Sequence, residues 1–244
     1  MTNDAANEQA EPSATNDPVD WPDAATRTVY DRLVERYGHR ELTPRRKPLH
    51  ELISTILSQR TNAANEKKAF ETMWQRYGSW RAIRDANEDD LAEAIGASTY
   101  PEAKAPQIKE TLGTIIDKRG EPSLEHLRDL SADEGMDWLL ELPGVGVKTA
   151  SLVLLFCFQK PVLPVDTHVH RVSQRVGLIG PKVGTDKAHD VLLKQLPGKP
   201  EILYNFHIAL LKHGQQLCRY RSPTCEKCPL TDRCDWYQEN RASS

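Results

Sequence analysis

The sequence predicts an all-α fold made of two lobes that share an interface. Apolar residues recur at helical spacing in almost every segment after about residue 20, and sustained alternation of apolar and polar residues, which would indicate strands, is absent. Short turns containing glycine, serine or proline separate the helical segments. A chain of 244 residues fits one large domain or two small ones with a common core, and the sequence has neither an internal repeat nor a long linker.

The helical segments can be placed in order along the chain. Gly78 and Gly120 mark the ends of two helices. Ser131 followed by Glu134 is a capping-box pattern that predicts the start of another. The predicted helices follow these apolar patterns or ranges: Val29, Leu33 and Tyr37; Leu49, Leu52, Ile53, Ile56 and Leu57; Phe70, Met73, Trp74 and Tyr77; Ile108, Leu112, Ile115 and Ile116; then 131–142, 147–159, 167–176, 185–196 and 201–217.

Charge is unevenly distributed along the chain. There are 32 lysines and arginines against 35 aspartates and glutamates, which gives a formal net charge of −3. Five of the acids lie in residues 1–20, a segment of low apolar content that we expect to be a disordered acidic tail. The remainder has 32 basic and 30 acidic residues, and Asp166 is the only acid between positions 143 and 175. Charge therefore permits a nucleic-acid partner without establishing one.

Composition also bears on where the protein works. Apolar residues make up 39% of the chain and charged residues 27%, as is usual for a soluble globular protein. No run of 18 apolar residues is present, so we predict no membrane span. Residues 1–20 contain neither lysine nor arginine and match neither a signal peptide nor a transit peptide. We therefore expect an intracellular, cytoplasmic protein.

Two closely spaced glycines lie between two predicted helices, in the sequence Leu-Pro-Gly-Val-Gly-Val-Lys at 142–148. Gly144 and Gly146, with Val145 between them, let the backbone turn sharply and expose N–H groups, and the next helix points its positive end at the same place. One phosphate of a nucleic-acid backbone would fit there without any reading of base sequence. The alternative is an ordinary helix–helix turn with no ligand.

A lysine and an aspartate follow this hairpin. Lys148 falls in the first turn of the next helix, where the helix dipole disfavours a cation. Three interpretations remain open: the lysine contacts a phosphate, it acts as a nucleophile, or it only extends into solvent. Asp166, 18 residues later, is either only the N-cap of another helix or a carboxylate that stabilises positive charge on a sugar. His168 and His170 suit packing or phosphate contact better than metal binding, because no third ligand stands at a recognisable spacing.

Four of the five cysteines form a C-x6-C-x2-C-x5-C pattern at Cys218, Cys225, Cys228 and Cys234. Four thiolates in one loop can enclose a metal centre. Zinc more often uses two close pairs, whereas a cubane iron–sulfur cluster accepts uneven spacing, so both centres remain open on this chemistry. Disulfides suit an intracellular chain poorly. Cys157, in an apolar run, is expected to be a buried core thiol.

Taken together and in this order, the hairpin at 142–150, the Val-Asp-Thr-His element at 165–168 and the four-cysteine pattern resemble the endonuclease III family of helix–hairpin–helix DNA glycosylases. The resemblance covers about residues 25–238, and the 18-residue gap between Lys148 and Asp166 is that of the family's catalytic pair. It implies phosphate binding by the hairpin and a 4Fe-4S cluster, rather than zinc, on the four cysteines.

The resemblance also implies the domain organisation and the partner. A six-helix barrel domain would span 45–160, with its helix–hairpin–helix at 131–159. Residues 21–44 and 161–244 would form an iron–sulfur cluster domain. Damaged double-stranded DNA would lie in the cleft between the two domains, bound by a monomer and without any membrane contact.

The implied activity is that of a bifunctional glycosylase and abasic-site lyase that removes damaged bases, oxidised pyrimidines in particular, from duplex DNA. Lys148 would attack C1′ of a flipped-out nucleotide and form a Schiff base, Asp166 would assist, and β-elimination would nick the strand. The implied DNA contacts are Gly144, Val145, Gly146, Gln59, Arg60, His168, Arg171, Arg219 and Arg221.

Two departures from the family pattern leave the preferred lesion and the preferred opposite base open. Residues 57–62 read Leu-Ser-Gln-Arg-Thr-Asn, which puts Arg60 rather than Gln59 where many relatives have the glutamine that fills the gap left by the flipped base. The segment 95–104 is about three residues longer than the usual wedge loop and lacks a bulky residue directly after Gly96.

Three rival functions are weighed against this one. Adenine-specific mismatch glycosylases share the hairpin and the cluster but normally lack the lysine. Some thymine-mismatch glycosylases have an arginine like Arg60, although Lys148 argues against the monofunctional ones. A DNA-binding module with a zinc knuckle would have no use for Asp166, a carboxylate beside phosphates.

Overall fold

The structure is a computed structural model that describes residues 19–44 and 46–241. Most of the predicted acidic tail lies outside these ranges. Within them the chain forms twelve α-helices and three short 3₁₀ turns and has no β-strand, so the all-α prediction is confirmed.

Twelve helices follow one another along the described residues. They are α1 (Ala24–Tyr37), α2 (Pro48–Ser58), α3 (Ala63–Tyr77), α4 (Trp80–Asp85), α5 (Glu88–Ala94), α6 (Pro101–Arg119), α7 (Ala132–Leu140), α8 (Val147–Phe158), α9 (Thr167–Arg175), α10 (Thr185–Leu193), α11 (Pro200–Gln216) and α12 (Asp235–Arg241). The 3₁₀ turns are Glu125–Arg128, Cys225–Lys227 and Thr231–Arg233.

All nine predicted helices are present, and α4, α5 and α12 are additional. These three are only six or seven residues long, too short to show a periodic apolar pattern. The helix predicted over 131–142 is shorter than expected, since α7 ends at Leu140. Leu142 instead begins the hairpin, where its N–H donates to the Leu139 carbonyl at 3.1 Å.

Side-chain caps fix where several helices begin. Asn62 accepts a hydrogen bond from the Asn65 N–H at 2.9 Å and starts α3. The predicted capping box of α7 is confirmed: Ser131 Oγ accepts from Glu134 N at 3.2 Å, and Glu134 Oε2 accepts from Ser131 N at 2.8 Å. Gly78, with φ of +68°, ends α3 in the left-handed conformation that glycine adopts without strain.

Helix α8 lies at the centre of the fold. Every one of its residues from Thr149 to Phe158 is buried, because α2 and α7 pack against it on one side and α10 and α11 contact it on another. Two packing groups result. One consists of α2 to α8, and the other of α1 and α9 to α12, with α9 packed extensively on α11. The predicted domain boundaries near residues 45 and 160 remain a prediction.

Small residues allow two close helix contacts. A Cβ at Gly214 of α11 would lie 2.7 Å from His168 Cβ of α9. A Cβ at Gly135 of α7 would lie 2.9 Å from a methyl group of Leu154 in α8. Both distances are too short for a side chain, so these glycines set how closely the helices approach. Over the described ranges, none of the helices is long and apolar enough to cross a membrane.

Candidate active site and nucleic-acid interface

The hairpin between α7 and α8 is held in place by α6. Thr111 Oγ1 donates to the Pro143 carbonyl at 3.0 Å, and Gln107 Nε2 donates to the Gly144 carbonyl at 3.1 Å. Gly144 has φ of +68°, and Gly144 and Gly146 are both exposed. The structure therefore presents the two predicted glycines on a fixed outer turn.

Val145, predicted as a third contact in this hairpin, has a different environment. Its side chain is buried, and its N–H donates to the Leu142 carbonyl at 3.1 Å. Neither its side chain nor its N–H is available to a ligand. The two exposed glycines thus carry the case for phosphate binding by the hairpin.

Lys148 lies at the point where the buried helix α8 reaches the surface. It is in the first turn and half-buried, while the next ten residues of the helix are buried. The N-terminus of α8 has no side-chain cap, so the first-turn N–H groups, which lack intrahelical partners, remain available to an acceptor. The side chain of Lys148, the exposed glycines of the hairpin and the positive end of the α8 dipole therefore lie at the same place.

Asp166 is the N-cap of α9. Its Oδ1 accepts hydrogen bonds from His168 N at 2.8 Å and from Val169 N at 2.7 Å, which confirms the capping role. All hydrogen bonds that the described residues make to this carboxylate go to Oδ1. The second oxygen, Oδ2, is left over for another role.

Two buried histidines hold the segment that leads to Asp166. His189 Nδ1 hydrogen-bonds the Leu163 carbonyl at 2.7 Å, and His207 Nδ1 hydrogen-bonds the Pro164 carbonyl at 2.9 Å. Burial lowers the pKa of His189, which favours the neutral ring. Lys148 and Asp166 stand at the N-termini of α8 and α9, and both of these helices contact α11.

The guanidinium of Arg171, predicted to contact DNA, is engaged within the protein. Arg171 Nε donates to the Cys218 carbonyl at 3.0 Å, and Nη2 donates to the Gly214 carbonyl at 2.9 Å. Nη2 also lies 3.0 Å from His168 Nδ1, which accepts this hydrogen bond. Arg171 and His168 are half-buried and join α9 to α11, so their hydrogen-bonding groups are largely used within the protein.

The four patterned cysteines line one cavity. Cys218, Cys225, Cys228 and Cys234 face it together with apolar and aromatic residues, and all four are free cysteines in the structure. Burial raises the pKa of the Cys228 thiol to about 11. No three His, Cys, Asp or Glu side chains of the described chain are grouped as ligands for a single metal ion.

Several hydrogen bonds reach the sulfur atoms. Leu230 N donates to Cys228 Sγ at 3.4 Å, and Arg175 Nη1 lies 3.4 Å from Cys218 Sγ. His213 Nε2 lies 3.4 Å from Cys228 Sγ, and burial lowers the pKa of this histidine to about 4. The cavity therefore supplies four thiols and N–H donors directed at them.

Arg175 also organises the loop that carries two predicted DNA contacts. Its guanidinium donates to the carbonyls of Arg219 and Tyr220, each at 2.9 Å, and lies 4.5 Å from the centre of the Trp236 ring. The side chains of Arg219 and Arg221 are exposed on this loop. Because Arg175 holds the backbone of this loop, the side chains of Arg219 and Arg221 can extend into solvent.

The loop after α2 exposes Gln59 and Arg60. Arg60 has φ of +57°, an uncommon left-handed conformation for a residue with a side chain. The Arg60 carbonyl accepts a hydrogen bond from Thr99 Oγ1 at 3.1 Å, so this loop is joined to the segment 95–104.

Sequence reasoning missed three residues that position these loops: Gln107, Arg175 and Lys104. For Lys104 a signal exists, since its four-residue spacing from Ile108 puts it on the buried face of α6. For Arg175 and Gln107 the partners are backbone carbonyls distant in sequence, which no local pattern reveals.

Comparison with known proteins identifies the family. Residues 53–197 match the family described as HhH-GPD superfamily base excision DNA repair protein. Endonuclease III of Thermotoga maritima is 35% identical over 209 residues, covering 84% of this chain and 90% of that protein. Endonuclease III of Sulfolobus acidocaldarius is 30% identical over 191 residues, covering 78% and 82%.

A solved structure agrees in fold. A trapped endonuclease III–DNA covalent intermediate, in an estranged-adenine complex, superposes with a TM-score of 0.75 at 26% identity, covering 88% of this chain and 96% of that one. With its hairpin and central α8 arranged as described, this chain belongs to the HhH-GPD superfamily of base excision DNA repair proteins and is a DNA glycosylase of the endonuclease III type.

Proposed function

We propose that this glycosylase is bifunctional, removing a damaged base and then cutting the strand as an abasic-site lyase through a Schiff base on Lys148. The observation that carries the proposal is the position of Lys148, the residue at which a wholly buried helix emerges beside the exposed glycines. The covalent intermediate solved for an endonuclease III supports it, because a covalent link to DNA requires a nucleophile on the enzyme.

Duplex DNA binds through its backbone. Gly144 and Gly146 offer N–H groups to one phosphate, and Arg219 and Arg221 add positive charge on the loop held by Arg175. Arg60 is exposed, and its side chain would fill the gap that a flipped nucleotide leaves in the duplex. The enzyme works as a monomer, with the helices of residues 46–160 forming the barrel lobe and the rest of the described chain the other lobe.

The chemistry begins with the neutral amine of Lys148. Its Nζ forms a bond to C1′ of the flipped deoxyribose as the glycosidic bond breaks, and the base leaves with the electron pair and takes up a proton. Cleavage of the C1′–O4′ bond, with a proton delivered to O4′, leaves an iminium ion between Nζ and C1′. Loss of a C2′ proton then expels the 3′ phosphate with the C3′–O electrons, which nicks the strand.

Asp166 stabilises the positive charge that develops on the sugar. Oδ1 is fixed by the two amide N–H groups at the start of α9, which orients Oδ2 without using it. A carboxylate held in advance needs little reorganisation when charge appears, and this makes its electrostatic effect large. Its capping role and its catalytic role are therefore compatible.

The donor set of the cysteine cavity fits a 4Fe-4S cluster. Four free thiols surround one space, and backbone and side-chain N–H groups point at Cys218 and Cys228. A cluster takes one thiolate at each of four corners, whereas zinc draws four ligands to one point. When bound, the cluster would crosslink the loop from Cys218 to Cys234 and so hold Arg219 and Arg221 in place.

The resemblance to endonuclease III extends the proposal to oxidised pyrimidines as the damaged bases. A panel of duplexes with single lesions, assayed for nicking with and without later alkali, separates lyase from glycosylase products and identifies the preferred base.

The proposal is tested by trapping the Schiff base with borohydride on a duplex that contains an abasic site. Wild-type protein should become covalently joined to DNA. Lys148→Gln should give no adduct while still binding the duplex, because the amine is lost and the hairpin backbone remains. Lys67→Gln, which changes an exposed lysine of α3, serves as control and should trap normally. An adduct with Lys148→Gln would mean that another amine is the nucleophile.

A further inference from the structure

Lys104, in the first turn of α6, is a buried lysine. Only 4% of its surface is exposed, yet its Nζ has four oxygen neighbours: the carbonyls of Leu57 and Gln59 and Ser98 Oγ at 2.8 Å, and Thr61 Oγ1 at 3.2 Å. None of these is a carboxylate. Burial lowers the pKa of Lys104 to about 8, as expected for a cation without a counter-ion. A buried cation held only by dipoles is costly, so its position requires an explanation.

The four acceptors lie in two regions of the chain: the C-terminal end of α2 with the loop that follows it, and the loop before α6. Leu57 and Gln59 are at the C-terminal end of α2, where carbonyl groups carry partial negative charge and attract a cation. We call residues 58–62 the Arg60 loop. Ser98 belongs to residues 95–100, which we call the Tyr100 loop, and its Oγ also donates to the Leu57 carbonyl at 3.1 Å. One ammonium group therefore joins the two loops.

Thr99 adds two further ties between the loops. Its N–H donates to Thr61 Oγ1 at 3.0 Å, and its Oγ1 donates to the Arg60 carbonyl at 3.1 Å. Arg60 and Tyr100 have φ of +57° and +58°, which is unfavourable for residues with side chains and persists only where surrounding contacts hold it. The joined loops supply those contacts.

Both of these residues with positive φ are exposed. Arg60 is exposed, and Tyr100 is 52% exposed although it is a large aromatic residue. When a nucleotide leaves the duplex, its partner base loses its hydrogen bonds and its neighbours lose a stacking surface. A guanidinium can bond to base-edge acceptors, and a flat ring can stack on a base. The Arg60 guanidinium can replace the lost hydrogen bonds of the partner base, and the Tyr100 ring can replace the lost stacking surface.

We propose that Lys104 is a positioning residue that joins the Arg60 loop and the Tyr100 loop into one unit, so that Arg60 and Tyr100 contact the disrupted base pair together. This rests on the proposed function, because it assumes a flipped nucleotide. The bulky residue that the sequence lacks directly after Gly96 is then supplied by Tyr100, at the end of the longer loop.

The first test uses amide hydrogen exchange on the protein without DNA. Lys104→Met keeps the length of the side chain but removes its donors, so the Thr61 and Thr99 amides should exchange roughly tenfold faster, as loss of one net hydrogen bond implies. The Val145 amide, in the hairpin, should be unchanged. Lys109→Met is the matched control on α6, since Lys109 makes only a 3.7 Å ion pair with Glu88. Unchanged exchange in Lys104→Met overturns the proposal.

The second test measures nicking of four duplexes with one abasic site placed opposite A, C, G or T. Wild type and Lys109→Met should show rates that depend on the opposite base, and Arg60→Ala should lose most of that dependence. Lys104→Met should lose it in the same way. If Lys104→Met slows all four reactions by one common factor, its role is only structural and the proposal fails. Equal wild-type rates on all four duplexes also contradict it.

Two further provisions keep the tests decisive. If Lys104→Met does not fold, Thr99→Val removes the tie to the Arg60 carbonyl with little change of shape, and it should flatten the opposite-base dependence part of the way. An unaltered profile in Thr99→Val then overturns the proposal. If the wild type neither nicks nor traps any abasic duplex, the proposed lyase function fails, and the exchange experiment still decides whether Lys104 joins the loops.

Discussion

At the scale of single residues, the two hairpin glycines differ in what requires them. Gly144 has φ of +68°, and an added Cβ would lie 2.1 Å from Gln107 Nε2, so the protein itself needs a glycine there. Gly146 has an ordinary φ of −97°, and an added Cβ would meet nothing within 4 Å. The described residues would accommodate a side chain at 146, so we attribute the glycine there to its place as the N-cap of α8 and to a close approach from outside.

We therefore expect different outcomes for the two alanine variants. Gly144→Ala should lower the free energy of unfolding by about 1 kcal/mol or more, through its left-handed backbone and the displaced Gln107. Gly146→Ala should leave thermal stability unchanged but weaken binding to damaged and undamaged duplexes alike, because a methyl group keeps a phosphate from the amide. Calorimetry and duplex titration measure both quantities. Undiminished affinity in Gly146→Ala would favour an ordinary turn.

Asp166 caps α9, and we propose that it also stabilises charge in the reaction; two substitutions separate these roles. Asp166→Asn should preserve the cap and the stability, since an amide oxygen also accepts from the His168 and Val169 N–H groups. It should slow base excision by roughly 10²-fold or more. Asp166→Ala should also lose about 1 kcal/mol of stability. Full excision by Asp166→Asn, measured in single turnovers, would leave capping as its whole role.

At the scale of elements, the loop from Cys218 to Tyr220 depends on a residue of α9. Arg175 donates to two successive carbonyls of that loop and lies beside Cys218 Sγ, so one side chain of a helix shapes both the cysteine cavity and the basic loop. The loop has no regular secondary structure of its own to do this between Cys218 and the 3₁₀ turn at Cys225–Lys227.

Arg175→Met should therefore weaken duplex binding more than loss of one surface charge would. We expect affinity to fall roughly tenfold and the amides of the loop to exchange faster, because two hydrogen bonds to its backbone disappear. Arg27→Met, which removes an exposed arginine of α1, should change affinity little. Equal effects of the two variants would show that Arg175 contributes only its charge.

At the scale of the whole molecule, the cysteine region is connected to the start of the described chain. Arg32 of α1 donates to Asp232 Oδ2 and to the Pro229 carbonyl, each at 3.0 Å. Tyr37 of α1 hydrogen-bonds His213 Nδ1 at 3.1 Å, and His213 lies beside Cys228. Helix α1, at the start of the described chain, is thus tied to the cysteine region and to a histidine that lines the cavity.

A cluster bound there should contribute to the stability of the whole lobe. Purified protein should contain about four irons and four sulfides per chain and absorb visible light. Cys228→Ser should lose iron and melt at a lower temperature, whereas Cys157→Ala, which changes the buried core thiol, should keep its iron. One zinc and no iron in the purified protein would refute the iron–sulfur assignment.

Much of the fold could be predicted because the relevant information is local. Helical spacing of apolar residues, the Ser131 and Glu134 capping box and the glycines that end α3 and α6 all act within a few residues. The hairpin, Asp166 and the four cysteines were also found from spacing, since phosphate binding, capping and metal ligation each need donors at short fixed intervals. The short helices α4, α5 and α12 were missed because six or seven residues are too few to show a periodic apolar pattern.

The all-α class, the positions of the long helices and the set of chemically capable residues follow from the amino-acid sequence. Which of those residues reach the surface depends on how the helices pack: packing buries Val145, engages Arg171 with backbone carbonyls and exposes Arg60 and Tyr100. Packing also places Lys104 between loops that are some 40 residues apart in the chain. Hydrogen bonds between such distant segments form only when helices pack, so no local pattern of residues can specify them.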